Sequence, residues 1–152
     1  MQPLSKGVTG FDAPDDGVEV KRFTAACHAA VRQIGGQVHQ VRPAYEQVVL
    51  NFHEARVTLR GRPETVRVLC NAHYPIVAFA TPAAREGDTR LEFMDCPELA
   101  DGLRADFAIL TSQEACAGVA DELVGQLSED ELRQMRYWRP QRIGDVIFNY
   151  WD

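Results

Sequence analysis

The longest uninterrupted apolar run in the sequence, Ile76–Ala80, constrains the fold most. A membrane-spanning helix needs about 18 or more apolar residues, so this run is far too short to cross a bilayer. A strand that is apolar on both faces suits the centre of a sheet better than its edge. We therefore expect a sheet with residues 76–80 at its centre and no membrane association.

Alternating apolar residues predict further strands on both sides of this run. Val66, Val68 and Cys70 share one face of a strand that follows a turn over residues 61–64. Two earlier series are out of phase by one residue, which calls for a tight turn or a bulge near His53 and Glu54. These series are Val48, Leu50 and Phe52, then Ala55, Val57 and Leu59. Short strands are also expected within residues 91–94 and 107–110.

Helical spacing of apolar residues dominates the two ends of the chain. A helix is predicted from residue 18 to Gly35, with Asp15 and Asp16 as capping candidates. A short helix is expected around Pro97. Two capping boxes are present, at residues 111–114 and 128–131. The first precedes a helical stripe of apolar residues that extends to residue 127. The second begins a helix that must end before Pro140. Residues 143–151 fit a helix or a closing strand.

The predicted fold class is α+β, with an N-terminal helix, a mostly antiparallel sheet and C-terminal helices packed on the sheet. Residues 1–17 are expected to form an irregular arm or mobile tail, and residues 18–152 a single domain. No signal-peptide pattern is present, which favours a cytoplasmic protein. Its four cysteines lack a C-x-x-C pair and are expected to be reduced, and most of them to lie in the core.

Sixteen Lys and Arg against 22 Asp and Glu give a formal net charge of -6. This balance argues against broad binding to nucleic acid or to anionic membranes, which calls for a basic surface. The sequence contains no zinc-binding H-E-x-x-H motif and no glycine-rich phosphate loop. We therefore expect neither a metal site nor a cofactor.

A run of arginines near the C-terminus is the most distinctive candidate site. The residues involved are Arg133, Arg136, Tyr137, Trp138, Arg139 and Arg142. Arginine presents a planar fork of donors that suits carboxylates and phosphates, and neighbouring aromatic rings add stacking, so the run predicts a partner-binding surface. The alternative is a solvated, salt-bridged helix face, because acidic residues in the first turn and arginines in the last complement the helix dipole.

A second candidate site consists of His53, Glu54, Cys70 and His73. A thiol with a nearby imidazole can act as a nucleophile, and the four residues could line a pocket beside the sheet. The alternative is that Cys70 is a small core residue and the histidines occupy unrelated positions.

These features support one leading hypothesis about function and two others. The leading hypothesis is an acidic protein-interaction domain without catalytic activity, of the kind seen in immunity or antitoxin proteins, which bind and mask a partner protein. The alternative is a small enzyme or ligand-binding domain that uses the His53, Glu54, Cys70 and His73 pocket. A third hypothesis is local recognition of nucleic acid or phosphate by the arginine run.

Overall fold

The α+β class is confirmed by a computed structural model, which describes residues 1–46, 49–85 and 87–152. The strands are β1 Gln37–Arg42, β2 Phe52–Thr58, β3 Thr65–Asn71, β4 Ile76–Ala80, β5 Phe93–Met94 and β6 Ala108–Ile109. The helices are α1 Val20–Ile34, α2 Pro97–Leu103, α3 Ser112–Cys116, α4 Asp121–Val124, α5 Glu129–Trp138 and α6 Ile143–Ile147. No helix in the described ranges is long and apolar enough to span a membrane.

The sheet is mostly antiparallel, with strand order β1-β2-β3-β4-β5. Strand β6 runs parallel to β4, which therefore has β3, β5 and β6 as partners. The central position predicted for residues 76–80 is thus confirmed. Strand β1 was not foreseen, because its residues are mostly polar and show no clean alternation.

Both faces of the sheet carry a hydrophobic core. Helices α1 and α2 cover one face through residues such as Phe23 and Leu99, which pack on Val68 and Phe79. The N-terminal segment and the C-terminal helices cover the other face. Burial on both sides explains why β4 is apolar at every position and why β3 is buried at every position after its first residue.

The prediction of a tight turn or bulge near His53 and Glu54 is wrong. Strand β2 pairs with β3 in unbroken register from Phe52 opposite Asn71 to Thr58 opposite Thr65. The two apolar series are out of phase because they face different cores: Phe52 packs on the C-terminal side, whereas Ala55, Val57 and Leu59 pack on the α1 side. The irregularity lies instead in β1, between Val38 and Gln40. Val48 lies outside the described residues.

Helix α1 ends as predicted, because Gly35 adopts the left-handed conformation with φ 76°. Its beginning differs from the expectation. Glu19 occupies the N-cap position and makes no side-chain capping bond, so neither Asp15 nor Asp16 caps the helix.

The apolar stripe from residue 116 to 127 does not form one continuous helix. Helix α3 stops after Cys116, and Ala117 is extended with ψ 149°. The break has a tertiary cause, because the carbonyl of Ala117 accepts the N–H of Ile143 at 2.9 Å and Gly118 pairs with Arg142. All four cysteines are free thiols, and three of them are buried, as expected. Cys116 is exposed, although it belongs to the apolar stripe.

The first 17 residues contain no helix or strand, yet they are packed rather than free. Leu4 is 5% exposed and Val8 is fully buried against the C-terminal side of the sheet. Tyr74 donates a hydrogen bond from its hydroxyl to the carbonyl of Lys6. Residues 1–17 are therefore an irregular segment packed on the domain and not a mobile tail.

Three buried asparagines connect the N-terminal segment, the sheet and the C-terminal tail. The side-chain amides of Asn51 and Asn71 both donate to the carbonyls of Val8 and Ile147, at 2.8–3.1 Å. Asn149 donates from its amide to Thr9 at 3.1 Å and from its backbone N–H to the side chain of Asn51 at 2.7 Å. These bonds satisfy backbone carbonyls that have no strand partner, so segments without regular structure can be buried.

Candidate functional site

The position of helix α5 is set by one buried carboxylate. The predicted capping box is present, with Ser128 and Glu131 each accepting the backbone N–H of the other. The side chain of Glu131 is fully buried, and it also accepts the backbone N–H groups of Gly7 at 2.8 Å and Thr9 at 3.1 Å. Helix α5 is therefore held against the N-terminal segment at its start, which fixes the direction in which its last turn points.

Helix α5 ends before Pro140, as predicted. Arg139 takes the left-handed conformation with φ 51°, and its N–H donates to the carbonyl of Met135 at 2.8 Å. Tyr137 is 77% exposed in this last turn. Trp138 is half-buried, and its indole N–H donates to the Gln134 side chain at 3.1 Å.

Three aromatic rings from two separate segments stack edge to face at the end of α5. The ring centroids of Tyr137 and Trp138 lie 5.2 Å apart, and those of Trp138 and Tyr150 lie 5.6 Å apart. Tyr150 reaches the helix from the C-terminal tail and is 44% exposed. Edge-to-face packing is a favourable arrangement of aromatic rings, so the three rings support one another in these orientations.

The four arginines of the run have different surroundings. Arg133 pairs with Asp130 at 2.8 Å on the exposed face of α5. Arg142 makes two hydrogen bonds to Asp145, at 2.9 and 2.7 Å. These bonds raise the pKa of Arg142 above its ordinary value. Arg133 is therefore salt-bridged on the face of α5, and Arg142 is salt-bridged beyond the end of that helix.

Arg136 and Arg139 are exposed and make no ion pair with any residue that the structure describes. Arg139 and Trp138 line a cleft of about 180 Å³ together with Arg142 and Tyr150. We call the residues Arg136, Tyr137, Trp138, Arg139 and Tyr150 the arginine–aromatic surface. Chemically, it offers guanidinium donors for a carboxylate beside flat aromatic faces for apolar groups.

The second candidate set does not form one site. His53 and Cys70 are opposite each other on β2 and β3, and both belong to the face covered by α1, where His53 stacks on Phe23. Glu54 follows His53 in the strand and therefore points to the other face, where it contacts Arg67. His73 lies in the turn after β3 and hydrogen-bonds the Tyr45 hydroxyl at 2.9 Å.

The surroundings of His53 and Cys70 disfavour nucleophilic chemistry. His53 accepts the N–H of Ala44 at Nδ1, 3.0 Å away, and donates from Nε2 to the carbonyl of Val18 at 2.7 Å. Both nitrogens are occupied, and burial lowers the pKa of His53. Burial likewise raises the pKa of the Cys70 thiol, which keeps it protonated. Burial also lowers the pKa of His73.

Two features of this region had no sequence signal. Tyr150 joins the aromatic stack only through tertiary contacts, and the burial of Glu131 exceeds what a capping box implies. A capping box predicts the bond to Ser128, but it says nothing about a segment more than a hundred residues earlier in the chain. Among the described residues, no group of three or more His, Cys, Asp or Glu side chains could hold a metal ion.

Comparison of the chain with models of protein families, with curated proteins and with solved structures gave no match.

Proposed function

We propose that this chain is a protein-interaction domain that holds its partner at the arginine–aromatic surface. The observation that carries the proposal is the edge-to-face aromatic stack with Tyr137 77% exposed at its end, next to Arg139, which has no ion-pair partner among the described residues. An exposed tyrosine that is already oriented loses little conformational freedom when a partner covers it.

The residue types on this surface match those that dominate binding energy in protein interfaces. Tryptophan, tyrosine and arginine are enriched among the residues whose truncation costs most. The neighbouring cleft gives Arg139 a place to receive a carboxylate from the partner, next to the rings of Trp138 and Tyr150. A partner carboxylate bound in this cleft would fix the position of the partner relative to helix α5.

The charge of the whole chain complements this local surface. With a formal net charge of -6, the domain attracts a basic partner from a distance and so speeds encounter. The arginine–aromatic surface then selects the orientation, because it offers exposed guanidinium groups beside an exposed tyrosine ring. We extend the proposal to the class of immunity and antitoxin proteins, which mask a partner; the acidic charge and small size support this finer assignment.

Site-specific photocrosslinking tests the proposal. A benzophenone side chain placed at Tyr137 should yield discrete adducts with one protein in the producing cells. The control places the same group at Arg104, which is 63% exposed and belongs to the opposite layer of the fold, at the end of α2. Adducts should form from position 137 and be absent from position 104.

A second variant links the adduct to the surface chemistry. Arg139→Ala in the Tyr137 crosslinking variant should reduce the adduct yield roughly tenfold or more, because an interface arginine of this kind contributes about 1.5–3 kcal/mol. Equal yields from positions 137 and 104 would count against the proposal. Salt-sensitive adducts with nucleic acid in place of protein would favour the phosphate-recognition hypothesis instead.

A further inference from the structure

A buried carboxylate on β2 is surrounded by three arginines. Glu54 is 2% exposed and lies on the sheet face opposite α1. Arg67 approaches it from β3, with Nε 2.7 Å from Oε1 and Nη2 also in contact. Arg56 Nε lies 3.3 Å from Oε2, and Arg42 Nη2 lies 3.4 Å from Oε1. We call these four residues the Glu54 arginine cluster.

The cluster carries more positive than negative charge. Three guanidinium groups share one carboxylate, and none of them pairs with another acid in the part of the chain that the structure describes. Arg56 and Arg67 are also directly opposite each other on neighbouring strands. Like charges in that position repel, so an additional negative charge would stabilise the arrangement.

Two donors within the cluster lack an acceptor. Arg42 Nε and Arg67 Nη1 are buried and have no hydrogen-bond partner among the described residues. The side chain of Arg67 is only 6% exposed, so these donors lie away from bulk solvent. Buried polar groups are nearly always hydrogen-bonded, and guanidinium groups have donors only. A group that binds these donors must therefore supply acceptor atoms.

We propose that the Glu54 arginine cluster is a binding site for an oxyanion, either a phosphate or a carboxylate group. Both groups present several acceptor oxygens in a geometry that fits guanidinium forks, and both neutralise the excess charge. The oxyanion has access from one side, because the side chains of Arg42 and Arg56 are 33% and 47% exposed. None of the four residues belongs to the arginine–aromatic surface, so this proposal stands independently of the proposed function.

The test measures the thermal unfolding midpoint of the full chain at constant ionic strength while chloride is replaced by inorganic phosphate or, in a second arm, by glutarate. A saturable rise in the midpoint is expected in at least one arm, and the arm that responds identifies the source of the oxyanion. Arg56→Gln should raise the half-saturating concentration roughly tenfold, the loss expected for one charged hydrogen bond. Arg56 is half-exposed, so this variant should fold.

Two further variants keep the test decisive. Arg104→Gln removes an exposed arginine on α2 and should respond like the wild type. Glu54→Gln removes the only negative charge of the cluster and should lower the half-saturating concentration. The proposal is overturned if neither anion gives a saturable rise, since water would then satisfy the free donors. It is equally overturned if Arg56→Gln and Arg104→Gln respond alike.

Discussion

Replacing Glu131 with glutamine tests whether one buried carboxylate holds the N-terminal segment on the C-terminal helices. The Oε1 atom accepts the backbone N–H groups of Gly7 at 2.8 Å and Ser128 at 3.1 Å. The Oε2 atom accepts the backbone N–H of Thr9 at 3.1 Å and also its hydroxyl. No water reaches this fully buried side chain from bulk solvent.

The expected cost follows from these four bonds. A glutamine keeps one oxygen for Gly7 and Ser128, but its NH2 group cannot accept a hydrogen bond. The Thr9 hydroxyl can rotate and become the acceptor, whereas the Thr9 N–H stays buried without a partner. One orphaned donor costs about 1–3 kcal/mol, and the remaining bonds weaken because they lose their charged acceptor. We therefore expect a loss of about 2–4 kcal/mol in the free energy of unfolding.

The matched control is Glu114→Gln. Glu114 occupies the same position in the other capping box, but among the described residues its side chain accepts only from Thr111, at 3.0 and 3.1 Å, near the surface. Its replacement should cost less than about 1 kcal/mol. Both variants are measured by urea denaturation followed by tryptophan fluorescence, with limited proteolysis reporting release of residues 1–17. A difference below about 0.5 kcal/mol between the two variants would refute the reasoning.

Three further predictions concern single positions. Burial lowers the pKa of His53 from its ordinary 6.5, so the unfolded chain binds the proton more readily than the folded chain. The contribution of the neutral His53 to stability is therefore complete above pH 6.5 and is lost as the pH falls toward the folded pKa. His53→Gln should therefore flatten the change in unfolding free energy between pH 7.5 and 5.5, and an unchanged slope would contradict this. Native protein should show one thiol that reacts rapidly with a disulfide reagent, because Cys116 is exposed while burial raises the pKa of Cys27 to about 12; Cys116→Ser should abolish that reaction. Gly144→Ala should cost about 1–3 kcal/mol, since a Cβ there would lie 2.4 Å from an aromatic ring, whereas Gly125→Ala in open surroundings should be nearly neutral; equal denaturation midpoints would argue against the packing.

Local sequence patterns correctly predicted the elements whose hydrogen bonds join residues only a few positions apart. Helix α1 with its Gly35 end and the two capping boxes appear where the sequence places them. In each case the donor, the acceptor or the left-handed glycine lies within a turn of the helix end, so a short window contains the whole cause. The turn before β3 is predictable for the same reason.

The predictions that were wrong concern elements whose structure depends on a segment far away in the sequence. Residues 112–127 carry one helical stripe, but Ala117 exchanges its helical bond for one with Ile143. The shift of phase at His53 predicted a bulge because the apolar residues of a strand buried on one face recur every two residues, whereas β2 contributes apolar residues to the cores on both faces. Strand β1 exists because the edge of β2 offers backbone donors and acceptors, and its own residues give little sign of it.

The candidate surface was predicted only in part. The concentration of arginines and aromatic rings around the end of α5 follows from the sequence alone, because a capping box and Pro140 bound that helix. Which arginines are neutralised follows from the folded chain, where Asp130 pairs with Arg133 and Asp145 with Arg142, and Tyr150 is brought to the aromatic stack. Helix ends are set by bonds between near neighbours, whereas ring stacking and burial depend on which distant segments meet.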